Sequence, residues 1–140
     1  MKLPHTHPIL LVDSHKIIDD NEITAKFTIP EDHPVLEGHF PHVKVWPGVY
    51  LIEGMNQTAG IHALEMAKNK FKTTNLNDMV TFVTSVDKVK FRQPVFPNDE
   101  LIYSAVLYKQ RRDHVFYTCG VYKNLQPVAQ AKIGLTAKKL

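Results

Sequence analysis

The sequence predicts an α+β domain in which a highly twisted antiparallel sheet wraps around one long central helix. A proline-free stretch of mostly apolar residues runs from Gly48 to about Lys70, which is enough for a helix of roughly 35 Å. Four segments rich in Val, Ile, Tyr, Phe and Thr follow it. Because the helix is apolar on nearly every side, something must enclose it, and a curved sheet does so.

Two strands and a long loop are predicted before the helix. The strands lie within residues 15–29 and are joined by a turn at "DDNE", since Asp and Asn tolerate turn geometry. The second strand places four apolar residues on one face: Ile23, Ala25, Phe27 and Ile29. Residues 30–47 hold four prolines and a glycine, so we expect a loop without regular structure, anchored by its own apolar side chains.

The four segments after the helix predict antiparallel strands that complete the sheet. They read "DMVTFVTSVDKVKF", "DELIYSAVLYKQ", "HVFYTCGVYK" and "PVAQAKIGLTA". The turn signals "QPVFPND", "QRRD" and "KNLQ" separate them.

Length and composition predict one globular domain over residues 1–140, with 44% apolar and 22% charged residues. A single cysteine, Cys119, cannot form an internal disulfide, which favours a reducing compartment. The apolar run "ILLV" is too short for a signal peptide or a membrane span. The net charge is only +3, and nucleic-acid binding would need a denser stripe of Lys and Arg on the surface. We therefore expect a cytoplasmic protein that binds neither nucleic acid nor membrane.

Glu53 is the unusual residue of the predicted helix. It lies among Leu51, Ile52 and Met55, where a carboxylate is costly unless it is paired or functional. Asn56 and Gln57 follow on the same side and form a narrow polar stripe with it. Two interpretations remain open: the carboxylate caps the amides of a loop, or it acts as a general acid.

The predicted helix begins without a capping side chain. Pro47 suits its first position, but the residues before Pro47 include no Ser, Thr, Asp or Asn. The amides of Gly48 and Val49 can therefore hold a ligand oxygen, reinforced by the helix dipole. A carbonyl oxygen that gains negative charge would be stabilised there. The alternative is that Gly48 only allows tight packing.

His39 completes a set of three functional groups. Histidine changes charge near neutral pH, which suits a general base. Base, oxyanion donor and acid together favour dehydration of a 3-hydroxyacyl thioester. His39 would take the C2 proton, the Gly48 amide would hold the thioester oxygen, and Glu53 would protonate the departing hydroxyl. This chemistry needs no metal or organic cofactor.

Three further histidines are candidate ligands of a metal ion: His5, His7 and His42. Thiolates are absent from these regions, and no carboxylate lies close to them in sequence. We expect no metal there.

Four segments, spread along nearly the whole chain, resemble motifs of a known enzyme family: "LPHTHPILLVD", "GHFP", "PGVYLIEGMNQTAG" and "DKVKFRQPVFPNDEL". With the spacings from His39 to Gly48 and Glu53, the chain resembles the (3R)-hydroxyacyl-acyl carrier protein dehydratases of the FabZ type. The resemblance implies a hot-dog fold and a homodimer paired edge to edge, often assembled as three dimers. It also implies that His39 of one subunit faces Glu53 of the other. The substrate would be carried on phosphopantetheine by an acidic carrier protein.

The chain departs from the family pattern near the expected acyl site. Trp46 is unusually large before the oxyanion glycine, and "EGMNQ" replaces the commoner "EAMAQ", which makes Asn56 polar. The residues assigned to substrate binding are Trp46, Val49, Asn56, Gln57 and Phe40. Trp46 and Asn56 motivate the hypothesis of a tunnel for short, polar or polyunsaturated chains, as in polyene or polyketide pathways.

Basic residues are the candidates for docking the carrier protein, because a basic rim speeds encounter with an acidic partner. They are Lys44, Lys90, Arg92, Lys109, Arg111 and Arg112. Two other classes were considered: a hot-dog acyl thioesterase, which does not need His39, and an inactive subunit of a heteromeric dehydratase, against which both occupied catalytic positions argue.

Overall fold

A computed structural model describes residues 5–71 and 79–139. The strands are β1 (Ser14–Ile17), β2 (Glu22–Thr28), β3 (Met79–Phe91), β4 (Glu100–Arg111), β5 (His114–Lys123) and β6 (Gln126–Lys139). The helix α1 spans Gly48–Phe71. Asp78, which was predicted to begin the third strand, lies outside the described residues.

The six strands form one antiparallel sheet in the order β1-β2-β4-β5-β6-β3. The "DDNE" turn joins β1 to β2, and Ile23, Ala25 and Phe27 all face the core. The expectation of two strands, one helix and four further strands is confirmed.

The helix α1 is enclosed as predicted. It contacts five strands, β2 to β6. Met55, Ala59 and Leu64 of the helix are buried against apolar residues of the sheet, which include Ile133 and Leu135. The all-round apolar character of the helix is therefore satisfied within the chain. No described helix is both long and apolar enough to cross a membrane.

The predicted structureless loop contains one turn of 3₁₀ helix, Pro34–Glu37, so that prediction was wrong over these four residues. The cause is His33, whose Nδ1 accepts a hydrogen bond from the Val35 amide at 3.2 Å. Its Nε2 then carries the proton and donates to the Pro8 carbonyl at 2.7 Å. Pro34 fits the first position of such a turn. A buried histidine thus caps the turn and ties it to the N-terminal segment.

Gly54 of α1 makes room for a tyrosine of the sheet. A Cβ at this position would collide with the hydroxyl and ring of Tyr103 on β4. Tyr103 is fully buried, and this burial, with a smaller contribution from Asp13, raises the pKa of its phenol well above the usual value. The departure from alanine at position 54 is therefore explained by packing.

We expect Gly54→Ala to lower the free energy of unfolding, although alanine favours a helix more than glycine does. Overpacking of a tight core costs about 1–3 kcal/mol, which outweighs a gain of about 1 kcal/mol from helix propensity. Urea denaturation at fixed protein concentration measures the difference.

The double variant Gly54→Ala/Tyr103→Phe is the matched control, since it removes the hydroxyl that the new methyl group meets. It should recover part of the loss. An increase in stability from Gly54→Ala alone would contradict the proposed packing.

Candidate active site

His39 is held by a braced loop at the start of the site. The Val45 amide donates to the His39 carbonyl at 2.9 Å, and the Phe40 amide donates to the Val43 carbonyl at 2.9 Å. The ring Nδ1 of His39 lies 2.9 Å from the Val45 carbonyl. Because a carbonyl only accepts, Nδ1 must carry the proton. The other ring nitrogen, Nε2, is therefore the basic one.

A cavity of about 470 Å³ brings His39 and Gly48 together. Its walls come from the His39 loop, the first turn of α1 and the segment after β3, and include Trp46, Leu51 and Arg92. A hydrogen bond from the Trp46 amide to the Val95 carbonyl, at 2.8 Å, fixes the start of the helix against that segment. The predicted base and the predicted oxyanion donor thus line one space.

The start of α1 leaves donors free. The first hydrogen bond there runs from the Tyr50 amide to the Pro47 carbonyl at 3.0 Å. Among the described residues, the Gly48 amide has no hydrogen-bond partner. A Cβ on Gly48 would lie 3.0–3.4 Å from ring atoms of Phe91. The two interpretations of Gly48 are therefore compatible with each other: the residue packs tightly against Phe91, and its amide can still bind a ligand oxygen.

Glu53 lies on another side of the same helix. Five residues of an α-helix turn through about 500°, which places Glu53 about 140° away from Gly48. Glu53 is not among the described residues that line the cavity. Its side chain is 29% exposed, so the predicted acid is half-buried. Within one chain, the structure does not bring the acid and the base to the same cavity.

The neighbours of Glu53 come from its own helix and from the N-terminal segment. Gln57 Nε2 donates to Glu53 Oε1 at 3.0 Å, and Asn56 Nδ2 lies 3.4 Å from Oε2. His5 Nε2 lies 3.5 Å from Oε1. Sequence reasoning missed this contact, since His5 had no carboxylate near it in sequence. No pattern links two residues so far apart along the chain, so only the fold could have revealed it.

Gln57 ties the N-terminal segment to α1. Its Nε2 also donates to the Ile9 carbonyl at 2.6 Å, and its Oε1 accepts from the Leu11 amide at 2.8 Å. The polar stripe that the sequence indicated is therefore real. It faces residues 5–11 of the same chain.

The other residues assigned to substrate binding are placed differently from one another. Phe40 and Val49 are 53% and 66% exposed and are not among the described residues that line the cavity. Trp46 is buried, with its ring against His33 at 4.9 Å and Tyr50 at 5.2 Å between centroids. The Trp46 side chain therefore forms a wall of the cavity, and its contacts with His33 and Tyr50 hold that wall in place.

The six docking candidates lie in two groups. Arg92 lines the cavity of His39, and its Nη2 donates to Gln130 Oε1 at 2.9 Å. Lys44 is exposed on the His39 loop, and Lys90 lies on β3 near its end. The second group is Lys109, Arg111 and Arg112, at the turn between β4 and β5.

The second group lies toward the far end of the helix. Arg112 lines a different cavity, of about 660 Å³, beside Ala63 and Ala67. Along α1, Ala63 is about 22 Å from Gly48. The structure therefore separates the docking candidates that the sequence grouped together.

Two other side chains that could react, His62 and Cys119, are buried in the core. His62 is buried, with Nδ1 2.7 Å from the Tyr117 hydroxyl and Nε2 3.3 Å from the Asp19 carbonyl, so it packs between the helix and the sheet. Burial raises the pKa of the Cys119 thiol to about 12, which leaves it protonated at neutral pH. Within residues 5–71 and 79–139, no group of three His, Cys, Asp or Glu side chains could hold a metal ion.

Solved structures with the same fold include both dehydratases and thioesterases. The dehydratase heterocomplex ApeI:P from Xenorhabdus doucetiae matches with a TM-score of 0.80 at 17% identity, covering 98% of this chain and 88% of that one. The fluoroacetyl-CoA thioesterase FlK matches with a TM-score of 0.66 at 10% identity, covering 89% and 91%. At such identities the likeness shows the fold alone, and it confirms the hot-dog architecture.

Sequence comparisons show the family. The FabA-like domain matches residues 3–132. The 3-hydroxyacyl-[acyl-carrier-protein] dehydratase FabZ of Streptococcus uberis is 40% identical over 109 residues, which are 78% of this chain and 73% of that protein. FabZ of Streptococcus pyogenes serotype M3 is 39% identical over the same length. The chain therefore belongs to the FabA-like family, among the 3-hydroxyacyl-[acyl-carrier-protein] dehydratases of the FabZ type.

Proposed function

We propose that this protein converts 3-hydroxyacyl chains on acyl carrier protein to trans-2-enoyl chains, with His39 as the base and Glu53 as the acid. The observation that carries the proposal is the cavity shared by His39 and the free Gly48 amide. The identity to FabZ enzymes supplies the substrate class.

The first half of the reaction uses the groups in the cavity. The Nε2 of His39 removes the C2 proton of the acyl chain, while Nδ1 stays bonded to the Val45 carbonyl. Negative charge moves to the thioester oxygen, where the Gly48 amide and the start of α1 stabilise it. Water must be excluded for these interactions to be strong, and the apolar ring of Phe91 helps to do so.

The second half needs an acid that one chain does not bring to its own cavity. We therefore place the site between two protomers, with His39 of one protomer facing Glu53 of its partner. Glu53 gives its proton to the departing hydroxyl, which leaves as water.

An edge of the sheet supports this assembly. The strand β3 is the last in the strand order, and among the described strands it pairs with β6 alone. It exposes Phe82, Val83 and Val86, between 38% and 42% of each. An unpaired strand with exposed apolar side chains favours pairing with a second chain. We infer a homodimer joined through β3, which can assemble further as three dimers. A heteromer with a related subunit is the alternative, as in the Xenorhabdus doucetiae heterocomplex.

The remaining candidates take roles around this site. Phe40 and Val49 offer apolar contacts to the acyl chain, and Trp46 limits its space. Gln57, with Asn56, orients the acid from within the helix. Lys44, Lys90 and Arg92 lie closest to the cavity and receive the acidic carrier protein, whereas Lys109, Arg111 and Arg112 form a second basic area.

His39→Ala and Glu53→Gln should each lower the turnover of carrier-bound 3-hydroxyacyl substrates by more than about 100-fold, because each removes a proton-transfer group. Enoyl absorbance reports dehydration, and free thiol reports the thioesterase alternative. Mass spectrometry of several chain lengths gives the products. Thiol release that is insensitive to His39→Ala would favour the thioesterase.

Mixing the two variants tests the shared site. In a mixed dimer, one of the two sites keeps both His39 and Glu53, so isolated mixed dimers should have about half of the wild-type activity, whereas dimers of either variant alone should have almost none. The chain is coexpressed as the two variants with different affinity tags, so that mixed dimers can be isolated. Mixed dimers without activity would show that acid and base come from the same protomer, or from another protein.

The rate on carrier-bound substrate should fall as salt rises, since the basic residues act mainly on encounter with an acidic partner. The control is the same acyl chain on pantetheine, whose rate should hardly change. Arg92→Glu is compared with Arg111→Glu/Arg112→Glu to identify the docking end; we expect a loss from both variants and the larger loss from Arg92→Glu, which lies at the cavity of His39. A salt-independent rate on carrier-bound substrate would contradict docking by either group.

Turnover of saturated and polyenoyl 3-hydroxyacyl substrates tests the specificity hypothesis for Trp46 and Asn56. We expect preference for the polyenoyl chain, and a shift toward the saturated chain in Trp46→Met. Equal turnover of both chains by the wild-type protein would remove the reason for a specialised pathway.

A further inference from the structure

The two oxygens of Glu53 have different surroundings. Oε1 has two nitrogen atoms near it, Gln57 Nε2 at 3.0 Å and His5 Nε2 at 3.5 Å. Oε2 has Asn56 Nδ2 at 3.4 Å. The carboxyl group therefore has one oxygen on the side of the N-terminal segment and one on the side of Asn56.

The partner of Oε1 cannot change its role. The Gln57 amide donates to the Ile9 carbonyl and accepts from the Leu11 amide. A half-turn of this amide would break both of these hydrogen bonds. Gln57 therefore always presents N–H to Oε1, and this fixed donor stabilises a negative Oε1 more than a protonated one. When Glu53 is protonated, Oε2 is therefore the favoured position of the proton.

The partner of Oε2 is free to change its role. Asn56 is only 6% exposed, and its Oδ1 is buried without a hydrogen-bond partner among the described residues. A half-turn of the amide exchanges N and O with almost no change in shape. In either orientation one end of the Asn56 amide is buried without a partner. The energetic cost of that unpaired end is therefore similar in the two orientations and does not decide between them. The protonation state of Glu53 then decides which end of Asn56 faces Oε2.

We propose that Asn56 is a positioning residue that keeps a hydrogen bond to Glu53 Oε2 in both protonation states of the acid. Its Nδ2 donates to the carboxylate, and after a half-turn its Oδ1 accepts from the carboxylic acid. Before substrate binds, the proton on Oε2 is held toward Asn56. It turns to the departing hydroxyl for the transfer, and the carboxylate that remains accepts from Asn56 Nδ2 again. This inference rests on the proposed function, in which Glu53 is the acid.

The departure from the family pattern fits this role. Alanine is commoner at position 56 in that pattern, so the reaction does not depend on a side-chain amide there. Asn56 is an addition that this chain makes beside a shared acid. The other titratable group that faces Glu53 among the described residues is His5; the partner's His39 joins it in the proposed dimer.

The side-chain amide of Asn56 gives a readout that is independent of activity. Its NMR signals in ¹⁵N-labelled protein, assigned by their loss in Asn56→Leu, should move with pH in the wild type and in His5→Ala. They should stay fixed in Glu53→Gln, which has no carboxyl group to titrate. Signals that ignore pH in the wild type, or that still move in Glu53→Gln, would overturn the proposal.

Kinetics provide the second test. Leucine matches the shape of asparagine but offers no hydrogen bond, so Asn56→Leu should lower kcat about fivefold to tenfold, the usual effect of one hydrogen bond, with KM within about twofold. Urea denaturation checks that the variant is folded. An unchanged kcat would refute the role of Asn56. Loss of the proposed function itself would be seen separately, as activity that survives in His39→Ala.

Discussion

The enclosure of α1 is the constraint on which the rest of the structure depends. A helix with apolar side chains on nearly every side is unfavourable in water, and burying it stabilises the folded chain. Five strands supply that cover, and Tyr103 and Tyr117 fill the space between helix and sheet. The sheet curves because its strands must cover several sides of the helix. Even the glycine at position 54 is explained by it, because the ring of Tyr103 occupies the place of a side chain.

Enclosure also determines where chemistry is possible. The amides in the middle of α1 are bonded within the helix, so the free backbone donors are at its first turn, where Val49 remains exposed. Pro47 and Trp46 provide no capping oxygen, and the braced loop that carries His39 lies beside that turn. The same helix places Glu53 on a different side, at the N-terminal segment. One rigid helix thus separates Glu53 from the cavity of His39 within a chain, and the proposed dimer through the edge strand β3 would bring the two residues together.

The polar stripe of α1 shows how one buried amide can organise a site. Gln57 makes three hydrogen bonds, to Ile9, Leu11 and Glu53. A buried amide with all its groups satisfied is rigid, whereas the oxygen of Asn56 beside it has no hydrogen-bond partner within residues 5–71 and 79–139. The same pair of residue types therefore supplies one fixed and one adaptable contact to the carboxyl group. The difference comes from the backbone of residues 9–11, which Gln57 reaches and Asn56 does not.

The sequence by itself determined the helix and the strands, and it proposed His39, Glu53 and Gly48 as base, acid and oxyanion donor. These depend on local periodicity, on proline and glycine, and on residue chemistry, all of which are visible along the chain. Only the tertiary structure decided the surroundings of Glu53: His5 comes from the N-terminal segment, and the cavity of His39 lies on another side of the helix. It also revealed His33 as the cap of a 3₁₀ turn. Contacts between residues far apart in sequence depend on how the sheet curves around the helix, and no local pattern encodes that curvature.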